Sequence, residues 1–217
     1  MKTARTTYTS DNTISARMYN LIIGAVLLYG FLMNIMMVKT IPVSSLLAVP
    51  MWVFLVGYFA SCFFGLYLFS KSENPVVSFI GFNFVAVPFG LVINIVTSQY
   101  SPDIVINAMQ VTTVVTCIMM ALGVAYPKFF ESIASGLFWG LLAAIIAELV
   151  LVFVFKMDLP IMDWIVAAIF CGYIGYDWGK AAALPKTVDN AVDSAAILYM
   201  DIVNLFLRIL EIMGKKD

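Results

Sequence analysis

Seven long apolar runs dominate this chain: Met18–Val38, Leu47–Phe69, Val76–Ser98, Ile104–Tyr126, Ile133–Phe155, Ile161–Gly179 and Ala191–Met213. Each is long enough to cross a bilayer as a helix. In hydrocarbon a backbone must satisfy its own hydrogen bonds, which leaves helices and closed barrels. A barrel would alternate apolar and polar residues over short strands, and these runs do not alternate. With 63% hydrophobic and 12% charged residues, and a mean hydropathy of +0.99, too little polar surface remains to clothe a water-soluble core. An all-α membrane protein of seven transmembrane helices is expected.

The breaks between runs are short: Lys39 to Leu46, Ser70 to Pro75, Gln99 to Asp103, Pro127 to Ser132, Lys156 to Pro160 and Lys180 to Asn190. They leave no room for an extramembrane domain. The expected organisation is a polar segment 1–17, one transmembrane domain 18–213 and a tail 214–217. The first run is 21 residues long and has no convincing cleavage site after it, so it reads as a retained span rather than a signal peptide.

Lysine and arginine counts set the orientation. Lys2, Arg5, Arg17, Lys71, Lys128, Lys180 and Lys186 fall on the N-terminal side, against Lys39, Lys156, Lys215 and Lys216 on the other. This bias places the N-terminus in the cytoplasm. Were the last run re-entrant, its two terminal lysines would change sides and strengthen the bias, so charge alone leaves the C-terminal topology open.

Other features exclude whole classes of function. A net charge of −1 gives no basis for nucleic-acid binding. Without histidine the usual pH switch and metal ligand are missing, and a pH response near neutrality falls to carboxylates. Cys62, Cys117 and Cys171 lie inside apolar runs without metal-ligand spacing and read as packing residues. Two small-residue motifs, Gly136–Gly140 and Gly175–Gly179, mark places where helices can approach closely. Pro50 and Pro88 are expected to kink the second and third helices.

Charge inside the apolar runs is the main functional signal. Glu148, Asp177, Asp201 and Arg208 sit where an ion costs several kcal/mol unless paired, hydrated or neutralised. Asp177 and Asp201 lie on the last two helices, which a short connector joins as a hairpin. In contact they cannot both ionise cheaply, so they would share a proton and titrate as a unit. Losing that proton would make them repel or attract a cation such as Ca²⁺, with carbonyls, water or Asn204 completing its oxygen shell. The plainer alternative pairs Asp177 with Lys180 and Asp201 with Arg208, since Asn204 and Arg208 share the Asp201 helix face. Glu148 has no partner nearby in sequence; Arg208 and the same cavity are its candidates.

The stretch Gly172–Met213 contains Tyr176-Asp177, Asp189 and Leu198-Tyr-Met-Asp201-Ile-Val-Asn204-Leu-Phe206. It resembles the C-terminal signature of the Bax inhibitor family, also called the transmembrane Bax inhibitor motif family. The resemblance implies six helices around a central seventh, a di-aspartyl pH sensor at Asp177 and Asp201, and a pH-sensitive calcium leak. It also implies calcium as the permeant or weakly bound ion with no tightly held cofactor, and in bacteria the inner membrane as location. Its partners would be the lipid bilayer, calcium ions and protons, and no enzymatic activity is expected. The family's latch arginine near the junction of the second and third helices has no counterpart. The junction reads Phe69-Ser-Lys71-Ser-Glu73, leaving Lys71 as a stand-in and Glu148 as a relocated acid.

Three rivals share this hydropathy. An intramembrane aspartyl protease would need a Gly-x-Gly-Asp context that Asp201 lacks. A proton-coupled carrier fits less well because the halves show no internal repeat. A non-transporting membrane stress-response protein is the third.

Overall fold

In the computed structural model, residues 13–157 and 159–215 are described, and every regular element among them is helical. The expectations about Lys2, Arg5 and Lys216 lie outside the described residues. Eight α-helices follow one another: α1 Ala16–Thr40, α2 Val43–Leu47, α3 Met51–Lys71, α4 Pro75–Thr97, α5 Pro102–Ala125, α6 Pro127–Val150, α7 Pro160–Ala183 and α8 Val188–Gly214. A π-helical turn, Leu151–Phe155, extends α6.

Helix starts follow local chemistry. The Ser15 hydroxyl accepts from the Met18 N–H at 3.2 Å, and the Asn74 side chain accepts from the Val76 N–H at 3.0 Å. Helices α4, α5, α6 and α7 each begin on proline, whose missing N–H costs nothing there. Pro127 therefore starts α6 well before the apolar run at Ile133, and the expected loop Pro127–Ser132 is the first turns of a helix. Likewise the expected break Lys180–Asn190 shrinks to Leu184–Thr187, and the break after Lys39 holds α2. Pro50 does not kink a helix; it is the N-cap of α3, whereas Pro88 does lie inside α4.

Among the described residues, five segments are long and apolar enough to cross a membrane: α1, α3, α4, α5, and α6 with its π turn. Their outward faces carry large apolar side chains, among them Trp52 at 70% exposure and Phe153 at 67%. A surface of this kind is suited to lipid and not to water. Helices α7 and α8 match the others in length but fall outside that set, and α8 is strongly amphipathic.

The packing divides into two units. The first runs through Gln99 and includes Ala183–Met200. Here α4 packs against α1, α2 and α3, with Phe82, Val85 and Ala86 fully buried. Gly65 and Gly81 let α3 and α4 close: a Cβ on Gly65 would come within 2.5 Å of the Gly81 carbonyl oxygen. The first half of α8 belongs to this unit. Its Tyr199 is fully buried with Phe31, Phe82 and Phe89 rings around it at 5.5, 5.3 and 6.0 Å. Polar groups are also buried here: Ser78 donates to Asp189 at 2.7 Å, and the Tyr19 hydroxyl meets Ser194 at 3.1 Å.

The second unit holds Tyr100–Ala182 and residues from Asp201 onward. Gly175 and Gly179 of α7 meet Gly123 of α5; a Cβ on Gly123 would sit 2.1 Å from the Gly175 carbonyl oxygen. The motif Gly175–Gly179 is thus a true contact surface. Its sequence twin is not: a Cβ on Gly136 meets nothing within 4 Å, and one on Gly140 reaches only Ile169 at 3.6 Å.

Candidate functional site

The ionisable residues of the second unit gather in two places along α7 and α8. At the first, the carboxyls of Asp177 of α7 and Asp201 of α8 lie within range of one another. Carboxylates only accept, so a carboxyl–carboxyl hydrogen bond needs a proton on one partner. Asp201 is 7% exposed and Asp177 half-buried. Tyr173 lies within electrostatic range of both, and Lys180, its Nζ 5.7 Å above the Tyr176 ring, also acts on Asp177. Six residues of α7 (178–183) follow Asp177, while thirteen of α8 (188–200) precede Asp201. The two helices are therefore offset, which brings the two aspartates level with one another.

The second cluster centres on Arg208. One guanidinium nitrogen donates to Asp163 Oδ1 at 3.0 Å and to Glu211 Oε2 at 3.2 Å; another donates to Glu148 Oε2 at 2.8 Å. Lys215 Nζ donates to the other Asp163 oxygen at 2.8 Å. Asp163 is 3% exposed and is held by two cations. The five side chains border a cavity of about 310 Å³, with Tyr100 at its edge.

Among the sequence candidates, Asp177 and Asp201 thus meet one another, and Glu148 meets Arg208. The alternative pairing of Asp201 with Arg208 is overturned: Arg208 spends its donors on Glu148, Asp163 and Glu211. Asn204 is half-buried one turn from Asp201 on α8. Lys71 ends α3, exposed, and belongs to the other unit.

Asp163, Glu211 and Lys215 were not singled out from sequence. Asp201, Asn204, Arg208, Glu211 and Lys215 recur at three- and four-residue steps, so helical periodicity could have flagged the last two. Asp163 carried no such signal, because an acid in the first turn of a run reads as interfacial. Among the described residues no three of His, Cys, Asp and Glu are gathered as metal ligands. Asp177 and Asp201 alone supply too few oxygens to hold calcium as a resident ion.

The family model described as inhibitor of apoptosis-promoting Bax1 matches residues 11–217. An uncharacterized protein of Helicobacter pylori is 27% identical over 170 residues, covering 75% of this chain and 71% of its own. Bax inhibitor 1 of Schizosaccharomyces pombe is 28% identical over 171 residues, 75% of this chain and 62% of its own. Mouse protein lifeguard 4 is 30% identical over 124 residues, 57% of this chain and 52% of its own.

Proposed function

The chain belongs to the Bax inhibitor family, and on that premise we propose that it is a pH-sensitive calcium-leak channel gated by the Asp177–Asp201 pair. The observation that supports the reading is the contact between these two carboxyls, one of them buried, which a shared proton would make a hydrogen bond. It ties α7 to α8 only while a proton is shared. When the proton leaves, two adjacent anions of low solvation repel and the contact is lost. The passing cation then finds carboxylate oxygens aided by water and backbone carbonyls. Calcium is cargo in this scheme, not a resident cofactor. Helices α7 and α8 complete seven spans, with the N-terminus in the cytoplasm of a bacterial inner membrane.

The test is calcium flux into dye-loaded liposomes between about pH 5 and pH 8, the range in which the unassisted histidine switch of other proteins works. Flux should rise with pH, since the protonated pair is the closed one. Asp177→Asn and Asp201→Asn each retain a hydrogen-bonding side chain that cannot ionise. Each should hold flux at its low-pH level and flatten the profile. Folded protein giving no calcium flux at any pH would sink the leak reading, and unchanged profiles in both variants would remove the pair as its sensor.

A further inference from the structure

The Asp177–Asp201 contact fastens α7 to α8 at one place, and a second fastening lies farther along the seam. Asp163 lies fourteen positions before Asp177 on α7, and Lys215, just past the end of α8, lies fourteen after Asp201. The Asp163–Lys215 bond therefore keeps the same antiparallel register as the aspartate pair, about 21 Å away at 1.5 Å per residue. Arg208, between them on α8, adds a second cation to Asp163 and also reaches Glu148 on α6. The seam is thus closed by a proton-sharing pair at one end and by an ionic cluster at the other.

We propose that Arg208 is a latch that holds α6, α7 and α8 together at the second end of the seam, and that the pathway opens there only when its ion pairs part. Three features carry this. Arg208 bonds acids from three successive helices, and two of its nitrogens serve different helices, a span that a lysine ammonium cannot reproduce. Asp163 is almost fully buried, so its charge needs these cations in place. The cluster also borders a 310 Å³ cavity, so parting the pairs enlarges an existing space. Glu148 stands one turn before the π-helical segment and the left-handed Lys156, φ 55°. Such irregular turns often mark points where a helix yields.

The latch's effect on ion flow rests on the leak reading; its effect on helix separation does not. Two measurements keep these apart. Spin labels at positions 161 and 213, in a chain whose three cysteines are replaced by serine, report the α7–α8 distance at the latch end at low pH. Arg208→Gln should lengthen and broaden it, Asp163→Asn should do the same, and combining them should add little. Arg208→Lys should restore it only in part. In the liposome assay, Arg208→Gln should raise low-pH flux about tenfold, as a loss of about 1.4 kcal/mol from the closed state gives. The pH midpoint should stay put. Should Arg208→Gln fail to fold, Arg208→Lys and Asp163→Asn carry the same distance test. Unaltered distances in the variants that fold would overturn the latch. A displaced pH midpoint, or a profile flattened as in Asp201→Asn, would show Arg208 acting through the aspartate pair, which also overturns it. A wild type without flux would end the leak reading and leave the distances to decide the latch.

Discussion

Tyr199 shows how finely single side chains are fitted in the first unit. It is fully buried; its hydroxyl accepts from the Asn34 amide and donates to the Ala86 carbonyl oxygen at 3.4 Å. Ring and hydroxyl contribute separately. Removing the hydroxyl in Tyr199→Phe should cost about 1 kcal/mol, the net worth of a typical hydrogen bond. Removing the ring as well in Tyr199→Ala should cost about 3–5 kcal/mol, the usual range for emptying a packed aromatic site. Thermal unfolding in detergent, at one protein and detergent concentration, orders the two. Equal losses would locate the energy in the hydroxyl and contradict the ring packing. Residues also differ in how well the sequence announced them. Asp177, Asp201, Glu148 and Arg208 stood out because a charge within an apolar run is costly wherever it points. Asp163 did not, because its place beside Pro160 is equally apt for an exposed interfacial acid. Only the fold shows that it is buried beneath Arg208 and Lys215.

Among the elements, α5 and α7 meet backbone to backbone through glycine. Gly123 and Gly175 bring two backbones to a separation that admits no Cβ: one added at Gly123 would lie 2.1 Å from a carbonyl oxygen. Backbone cannot step aside as a side-chain tip can, so Gly123→Ala should lower thermal stability in detergent by several degrees. Gly136→Ala meets open space and replaces the weaker helix former, a change worth up to about 1 kcal/mol in its favour. It should be neutral or slightly stabilising. Finding Gly123→Ala as benign as Gly136→Ala would refute the close approach. The two glycine motifs look alike in sequence, and only packing separates them. Helix boundaries tell a similar story. Apolar runs located the long helices well, but α6 starts earlier than its run because Pro127 and the polar residues after it suit a helix N-terminus. The four-residue connector between α7 and α8 was likewise hidden by the polar character of the ends it joins.

At the scale of the whole molecule, the hydropathy that identified the class weakens at α7 and α8, the two helices that carry the ionisable clusters. A helix of 27 residues such as α8 is about 40 Å long, ample for a hydrocarbon core of about 30 Å. Its polar stripe from Asp201 to Lys215 forbids lipid on that face yet leaves a spanning course open, since those groups bond to α6, α7 and one another. Length and internal pairing together favour seven spans, which put the chain termini on opposite sides of the membrane. In the proposed topology the N-terminal side is cytoplasmic and Lys215 lies outside it. Paired reporters fused to the C-terminus decide the matter: alkaline phosphatase, active only outside the cytoplasm, should be active, and green fluorescent protein, bright only within it, should be dark. The reverse result would make α8 re-entrant. The chain would then cross the membrane an even number of times, and the two fastenings of the α7–α8 seam would no longer stand at opposite ends of a path across the bilayer.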